Sequence, residues 1–166
     1  MRKLVILRGK PAAGKSTAYA NLKKRKEMKN WLFIDHCKLK TELGREKGKI
    51  ALMDELKKAM PTKKDIIIEE MSEKTLKKYI RYYIKKYDYK IITFQFEVSL
   101  KDSKNRDIRR VIDKGHDRKF ILKNIKELHK MHDERFDKKA FLIDTGKLNK
   151  KQVVDFIIKK LRLKWR

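Results

Sequence analysis

The amino-acid sequence predicts an α/β domain built on a five-stranded parallel sheet. Five short apolar runs alternate with longer amphipathic stretches, the pattern of strands joined by crossover helices. Between the first run and the first helical stretch lies Gly9-Lys10-Pro11-Ala12-Ala13-Gly14-Lys15-Ser16, a complete G-x-x-x-x-G-K-[ST] loop. At 166 residues the chain has the length of one domain with a full core.

The elements follow in order. Leu4-Val5-Ile6-Leu7, within a strand expected over 3–8, is continuous rather than alternating, as in a strand buried on both faces. After the glycine-rich loop, residues 17–22 can continue as a helix. A second strand is expected over 31–35. Leu39, Leu43, Leu52, Met53 and Leu56 then suggest one helix or two, with Gly44 and Gly48 as candidate breaks and Pro61 as the stop. A third strand is expected over 65–69. Leu76, Tyr79, Ile80, Tyr83, Ile84 and Tyr87 recur at three and four, one apolar helical face. The opposite face carries Lys74, Lys77, Lys78, Arg81, Lys85 and Lys86 and reads as solvated. The fourth and fifth strands are expected over 90–97 and 140–144. Between them Ile121, Ile125, Leu128 and His132 mark a helix, and after them Asn149 can cap a last one with Val153, Ile157 and Leu161 inside. The whole of 1–166 reads as a single domain with a helical lid at approximately 99–120.

Composition excludes some classes. No run of about 18 apolar residues exists, so no membrane partner is expected. The first strand begins too early to leave room for a signal peptide, and the single Cys37 fits a reducing, cytoplasmic setting. Cys37 itself reads as a small, partly buried residue. Lys and Arg number 48 against 22 Asp and Glu, a formal net charge of +26. That balance favours a polyanionic partner such as nucleic acid. The even spread of lysine is also what a general lysine bias produces, and it leaves oligomeric state unaddressed.

The loop carries the most specific chemistry. Its two glycines let the backbone wrap a phosphate and turn N–H groups inward, and the following helix adds the positive end of its dipole. Residues Gly9, Lys10, Pro11, Ala12, Ala13, Gly14, Lys15, Ser16 and Thr17 are therefore the expected ATP-binding segment. Lys15 would reach the outer phosphates, and the Ser16 hydroxyl would ligate Mg²⁺.

In open α/β sheets ligands bind at the carboxyl ends of the strands. Acids stand there at Asp35, at Glu69 and Glu70, and at Asp144. Asp35 faces the loop if the second strand is near the first, where its carboxylate could accept a proton from an attacking hydroxyl. Asp35 is equally a candidate N-cap for a helix starting at His36. Glu69 and Glu70 compete for a place at the metal. Arg106 and Arg110 lie one helical turn apart, and their forked donors suit the charge that builds on a transferring phosphoryl group. The stretch 114–118 reads as a loop within the lid, which would exclude water from the reaction. A merely basic surface helix is the alternative, and it weighs most for Arg109 and Arg118. The histidines make no metal site. His129 and His132 are three apart without a third ligand, His132 reads as a core residue, and His36 and His116 are better placed for substrate.

On these residues the chain resembles the small P-loop kinases related to the bacteriophage polynucleotide kinase domain, a group that includes zeta-toxin-like kinases. The resemblance is strongest over 9–17 and next strongest at Asp35-His36-Cys37-Lys38. It implies a P-loop NTPase three-layer sandwich and a kinase using ATP and Mg²⁺. It implies that Asp35 deprotonates the acceptor hydroxyl and that Lys38, where the family has arginine, holds the acceptor-side phosphate. Residues 66–72 resemble the strand that ends in an acid and put Glu70 at the family's metal-linked aspartate. Phe96-Glu97-Val98 followed by Arg106 and Arg110 resembles the segment leading into the arginine lid, with Arg106 also on ATP. Leu142-Ile143-Asp144-Thr145 resembles the strand whose loop borders the adenine. The implied acceptor is the 5′-hydroxyl of RNA or DNA. A small-molecule acceptor (a sugar, nucleoside, antibiotic or cell-wall precursor) and an ATP-switched RNA-binding protein are the other readings.

Overall fold

Every expected apolar run forms a strand in a computed structural model of the chain, which describes residues 1–69, 73–114, 119–134 and 139–162. The strands are β1 (Arg2–Gly9), β2 (Leu32–Ile34), β3 (Ile66–Glu69), β4 (Tyr89–Glu97) and β5 (Phe141–Asp144). They make one parallel sheet in the order β2-β3-β1-β4-β5. Among the described residues, seven α-helices alternate with them: α1 (Lys15–Lys23), α2 (His36–Leu43), α3 (Arg45–Ala59), α4 (Glu73–Lys86), α5 (Leu100–Lys114), α6 (Lys119–Glu134) and α7 (Lys150–Arg162).

The neighbour of β1 is β3, not β2. Leu4 pairs with Ile66 and Ile6 with Ile68, while Leu32 and Ile34 of β2 pair with the same two residues from the other side. β2 is thus one strand removed from β1. Burial follows the order. The three isoleucines of β3 are wholly buried, as central strands of a parallel sheet must be, whereas all three residues of β2 are only partly buried.

Two compact units are present. The first comprises Met1–Arg8 and Tyr19–Phe94. Its core joins Leu4, Ile6, Ile66 and Ile68 of the sheet to Leu52, Met53 and Leu56 of α3 and to Leu76 and Ile80 of α4. The alternate residues Val5, Leu7 and Ile67 are equally buried, so both faces of these strands are covered. Each such side chain contributes roughly 1.5–3 kcal/mol.

Gly44 is the break between α2 and α3, with φ at 80°. Gly48 is not a break. It lies inside α3, where a Cβ would come within 2.8 Å of Leu39 O and of Lys40 N and Cα, so it is the point where α3 crosses against α2. Helix α4 departs from helical geometry at Ile80 (φ −131°, ψ 20°). Leu76 and Ile80 are buried, and Tyr83, Ile84 and Tyr87 pack against the core. Tyr79, expected on that inner face, is instead 47% exposed.

The second unit comprises Gly9–Ala18 and Gln95–Arg166. Its buried apolar residues include Phe96, Val98, Ile125, Ile143, Val153 and Ile157. Asn149 caps α7 in a reciprocal pair: its Oδ1 accepts from Gln152 N, and Gln152 Oε1 accepts from Asn149 N. Within α6 the more deeply buried histidine is His129, not the expected His132, which is only partly buried. Among the described residues, no helix is long and apolar enough to cross a membrane.

Candidate functional site

The loop after β1 is shaped by three residues with positive φ: Gly9 (139°), Ala12 (52°) and Gly14 (84°). The two glycines do different work. A Cβ on Gly9 would lie 2.1 Å from Phe96 O, so only glycine lets the chain leave β1 this close to the β4 backbone. Lys10 N then donates to the same carbonyl at 3.1 Å. A Cβ on Gly14 would meet nothing within 4 Å, and its glycine serves the backbone angle alone. Ala12 holds a left-handed conformation at a cost of about 1–2 kcal/mol. Its carbonyl is fixed from outside by Arg106, as described below. Ala13 N donates to Lys10 O and closes the turn.

Helix α1 starts at Lys15 with no acid in its first turn, so its N-terminal N–H groups and dipole present uncompensated positive potential. Lys15 is buried and arches back over the loop, its Nζ donating to Gly9 O at 2.9 Å and to Lys10 O at 2.8 Å. Ser16 is exposed in the first turn and Thr17 half-buried beside it.

Lys10 points elsewhere. Its ammonium lies 2.8 Å from Glu97 Oε2 and 2.8 Å from Asp133 Oδ1. Burial works against its charge, but the hydrogen bonds it donates to Asp133 and Glu97 prevail and raise its pKa. Among the loop residues expected on ATP, Lys10 therefore offers its backbone while its side chain is engaged by two carboxylates. His129 belongs to the same cluster. Burial lowers its pKa and the nearby Lys10 charge lowers it further, against Asp133 and Glu97.

Helix α5 is tied to the loop. Ser103 Oγ donates to Pro11 O at 2.8 Å, and Arg106 Nη1 donates to Ala12 O at 3.2 Å. Arg106 also donates to Thr145 Oγ1 at 3.0 Å and, through Nη2, to Thr145 O at 2.7 Å. Its guanidinium thus braces a loop carbonyl against the turn after β5. Arg110, one helical turn on, has a different partner: Nη1 lies 3.3 Å from Oδ1 of the fully buried Asp107. Ser103 and Asp133, and the pairing of Glu97 with Lys10, escaped the sequence reading. Ser103 alone carried a usable signal, since it precedes Arg106 by three residues and shares its helical face.

The Asp35 group lies in the first unit. Asp35 is exposed and is the N-cap of α2, its Oδ1 accepting from Lys38 N at 2.9 Å. Lys38 is exposed, and its Nζ is 3.7 Å from Glu42, a surface pair worth no more than about 0.5 kcal/mol, too little to hold the ammonium in place. Behind the cap, Cys37 Sγ donates to Glu69 Oε2 at 3.1 Å, and the buried His36 has Nδ1 3.3 Å from Glu69 O. Ligand atoms of Asp35, Cys37 and Glu69 lie within 4.8 Å of one another. The two carboxylates suit a hard cation, but the thiol does not, so this trio is no Mg²⁺ cage. Tyr19 stands nearby with its ring edge on Phe33, centroids 5.3 Å apart. Burial pushes its phenol pKa up, and Asp35, Glu69 and Cys37 push it further, so Tyr19 stays protonated. Glu70, His116 and Arg118 lie outside the described residues.

No protein-family model matches the chain. No curated protein matches it in sequence. Solved structures do match in fold. A gluconokinase from Sinorhizobium meliloti superposes with a TM-score of 0.63 at 13% identity, over 97% of this chain and 93% of that one. Chaetomium thermophilum Kti12 in complex with ADP-AlF3 gives 0.61 at 17% identity, over 94% and 97%. A chain of the Pnkp1/Rnl/Hen1 RNA repair complex gives 0.58 at 19% identity, over 83% of this chain but 47% of that one. At such identities the likeness is one of fold. The chain has an α/β fold with a five-stranded parallel sheet, the fold of these kinase structures.

Proposed function

We propose that this protein is an ATP-dependent phosphotransferase that moves the γ-phosphate of ATP to a hydroxyl, and that the acceptor is the 5′-hydroxyl of RNA or DNA. The observation that carries the reading is the loop 9–16. It has positive φ at Gly9, Ala12 and Gly14, a helix N-terminus without acids, and a lysine already folded over its own carbonyls. The fold likeness to a gluconokinase and to a chain of an RNA repair complex supports it.

In this reading the loop N–H groups and Lys15 bind the triphosphate, and Arg106 and Arg110 counter charge on the transferring group. Asp35 accepts the proton of the acceptor hydroxyl as its oxygen bonds to the γ-phosphorus, the bond to the β-phosphate oxygen breaks, and ADP leaves. Lys38 orients the acceptor. The exposed Ser16 hydroxyl is an oxygen donor of the kind Mg²⁺ takes, and that ion when bound would neutralise charge between the outer phosphates; Glu70 is its proposed carboxylate partner. The excess of positive charge supports a polyanionic acceptor.

Asp35→Asn tests the chemistry cleanly, because asparagine caps a helix about as well as aspartate. Transfer of label from γ-labelled ATP to a 5′-hydroxyl oligonucleotide should fall about 10²–10⁴-fold with ATP affinity unchanged. Unchanged transfer removes Asp35 as the base. Transfer by the wild type to a small alcohol and to no oligonucleotide replaces the acceptor class, the reading that the gluconokinase likeness supports.

A further inference from the structure

Five of the six tyrosines of this chain fall within 79–89. Lysine is abundant everywhere and so marks no place, but tyrosine is not: Tyr79, Tyr82 and Tyr83 lie on α4, Tyr87 just after it and Tyr89 at the start of β4. Two of these rings do not serve the core: Tyr79 is 47% exposed and Tyr82 is 64% exposed.

Tyr82 is held by a neighbouring ring. Tyr82 meets half-buried Tyr83 edge-on, centroids 5.4 Å apart and planes at 90°, and Tyr83 in turn packs on the core of the first unit. Each ring is flanked by cations. The ammonium of Lys49 is 5.1 Å from the centroid of Tyr79, that of Lys78 is 5.6 Å away, and that of Lys86 is 5.5 Å from the centroid of Tyr82. From position 74 to position 87 the sequence contains no acid. Glu46 is 3.9 Å from Lys49, a contact at the limit of an ion pair, and it leaves the patch strongly positive. Exposed aromatic faces interleaved with lysines are what a single-stranded nucleic acid needs, since bases stack on the rings while ammonium groups meet the flanking phosphates. A paired strand hides its base faces and cannot use them. Single-stranded recognition by stacking is the characteristic mode for RNA.

We propose that the outer face of α4, through Tyr79 and Tyr82 with Lys49, Lys78 and Lys86, binds single-stranded RNA by base stacking. The inference deepens the nucleic-acid reading of the function and rests on it for the class of ligand. It revises the expectation that this face is merely solvated. Held there is the body of a strand, not the hydroxyl that reacts.

The test is fluorescence anisotropy with a labelled twelve-nucleotide single-stranded RNA, the matched duplex, and three proteins: wild type, Tyr79→Ala/Tyr82→Ala and Tyr79→Phe/Tyr82→Phe. The rings are outward-facing, and circular dichroism with thermal melting verifies that all three fold alike. Single-stranded RNA should bind the alanine variant about tenfold to a hundredfold more weakly than wild type. The phenylalanine variant should bind within about twofold of wild type, because its ring faces remain, and the duplex should bind wild type more weakly than the single strand. Equal affinity of the alanine variant and wild type overturns the proposal. So does a phenylalanine variant as weak as the alanine one, or a duplex bound as tightly as the single strand. A change of solution mass in the alanine variant with RNA affinity unchanged assigns the face to a second copy instead. Label transfer is assayed separately, so a wild type that phosphorylates 5′-hydroxyl ends while the alanine variant binds RNA normally sinks this surface alone. A wild type that binds the RNA through these rings but phosphorylates only small alcohols sinks the acceptor and keeps the surface.

Discussion

Gly9 and Gly14 look equivalent in the loop pattern, yet their surroundings separate them. At Gly9 any side chain would strike the Phe96 carbonyl, a backbone group in a central strand that cannot yield. At Gly14 the space is open and only the φ of 84° resists substitution. Gly9→Ala should therefore cost about 2–6 kcal/mol from strain and overpacking together, a large part of a typical domain's stability. Gly14→Ala should cost only about 1–2 kcal/mol. Urea midpoints of the two variants against wild type measure the contrast, and equal losses would show that Gly9 does not need its proximity to β4. The loop itself was plain in the sequence, because its pattern is local. The partners of Arg106 were not, since Thr145 is 39 positions away and no spacing rule reaches that far. The same holds for Lys10, whose two carboxylates come from β4 and α6.

Between elements the same distinction between local and distant signals holds. Each strand could be read because its apolar run is continuous, whereas the hydrophobic spacing around Gly44 left one helix or two open. Strand order could not be read, because nothing in β2 or β3 states which will lie beside β1. Tyr79 was misplaced because three-and-four spacing marks a stripe without marking its edge, and Tyr79 is exposed beside the buried Leu76 and Ile80. Gly48 was misread because glycine in a helical pattern signals both a break and a close crossing. The crossing makes a prediction. Gly48→Ala should gain about 1 kcal/mol of helix propensity. It should nonetheless destabilise the protein by a net 1–3 kcal/mol or so, because α2 must shift away from α3. Chemical denaturation gives the sign directly, and a stabilised variant would mean that α2 yields without loss.

At the scale of the whole molecule, pH acts on a chain that already carries a formal charge of +26. His129 adds a specific acid sensitivity. Its pKa in the folded protein lies below the ordinary value of 6.5, so above that value both folded and unfolded chains hold it neutral and it changes nothing. As pH falls below 6.5 the unfolded chain takes up the proton first, and stability declines through the folded pKa. The Lys10 pKa is raised instead, so the contribution of its ion pairs is complete at neutral pH and is lost only well into the alkaline range. Urea unfolding at pH 7.5 and 5.5 should thus show a smaller acid loss for His129→Gln than for wild type, and an equal loss would remove His129 from the cause. The charge excess could be read from composition, but the burial of this particular histidine could not, because α6 places two histidines three apart and only packing selects between them.

The bonds from Ser103 and Arg106 to Pro11 and Ala12 have a mechanical meaning. Two side chains one turn apart on α5 grip two successive carbonyls, which makes a hinge pin rather than a point contact. Such a pin resists rolling of the helix about its own axis, because rolling would lengthen one bond as it compressed the other. Tilt remains the softer freedom, and tilt would move the far end of α5 most and the pinned end least. Arg110, beyond the pin, would travel farther than Arg106, so the two arginines form a short lever: one at its fulcrum, the other on its arm.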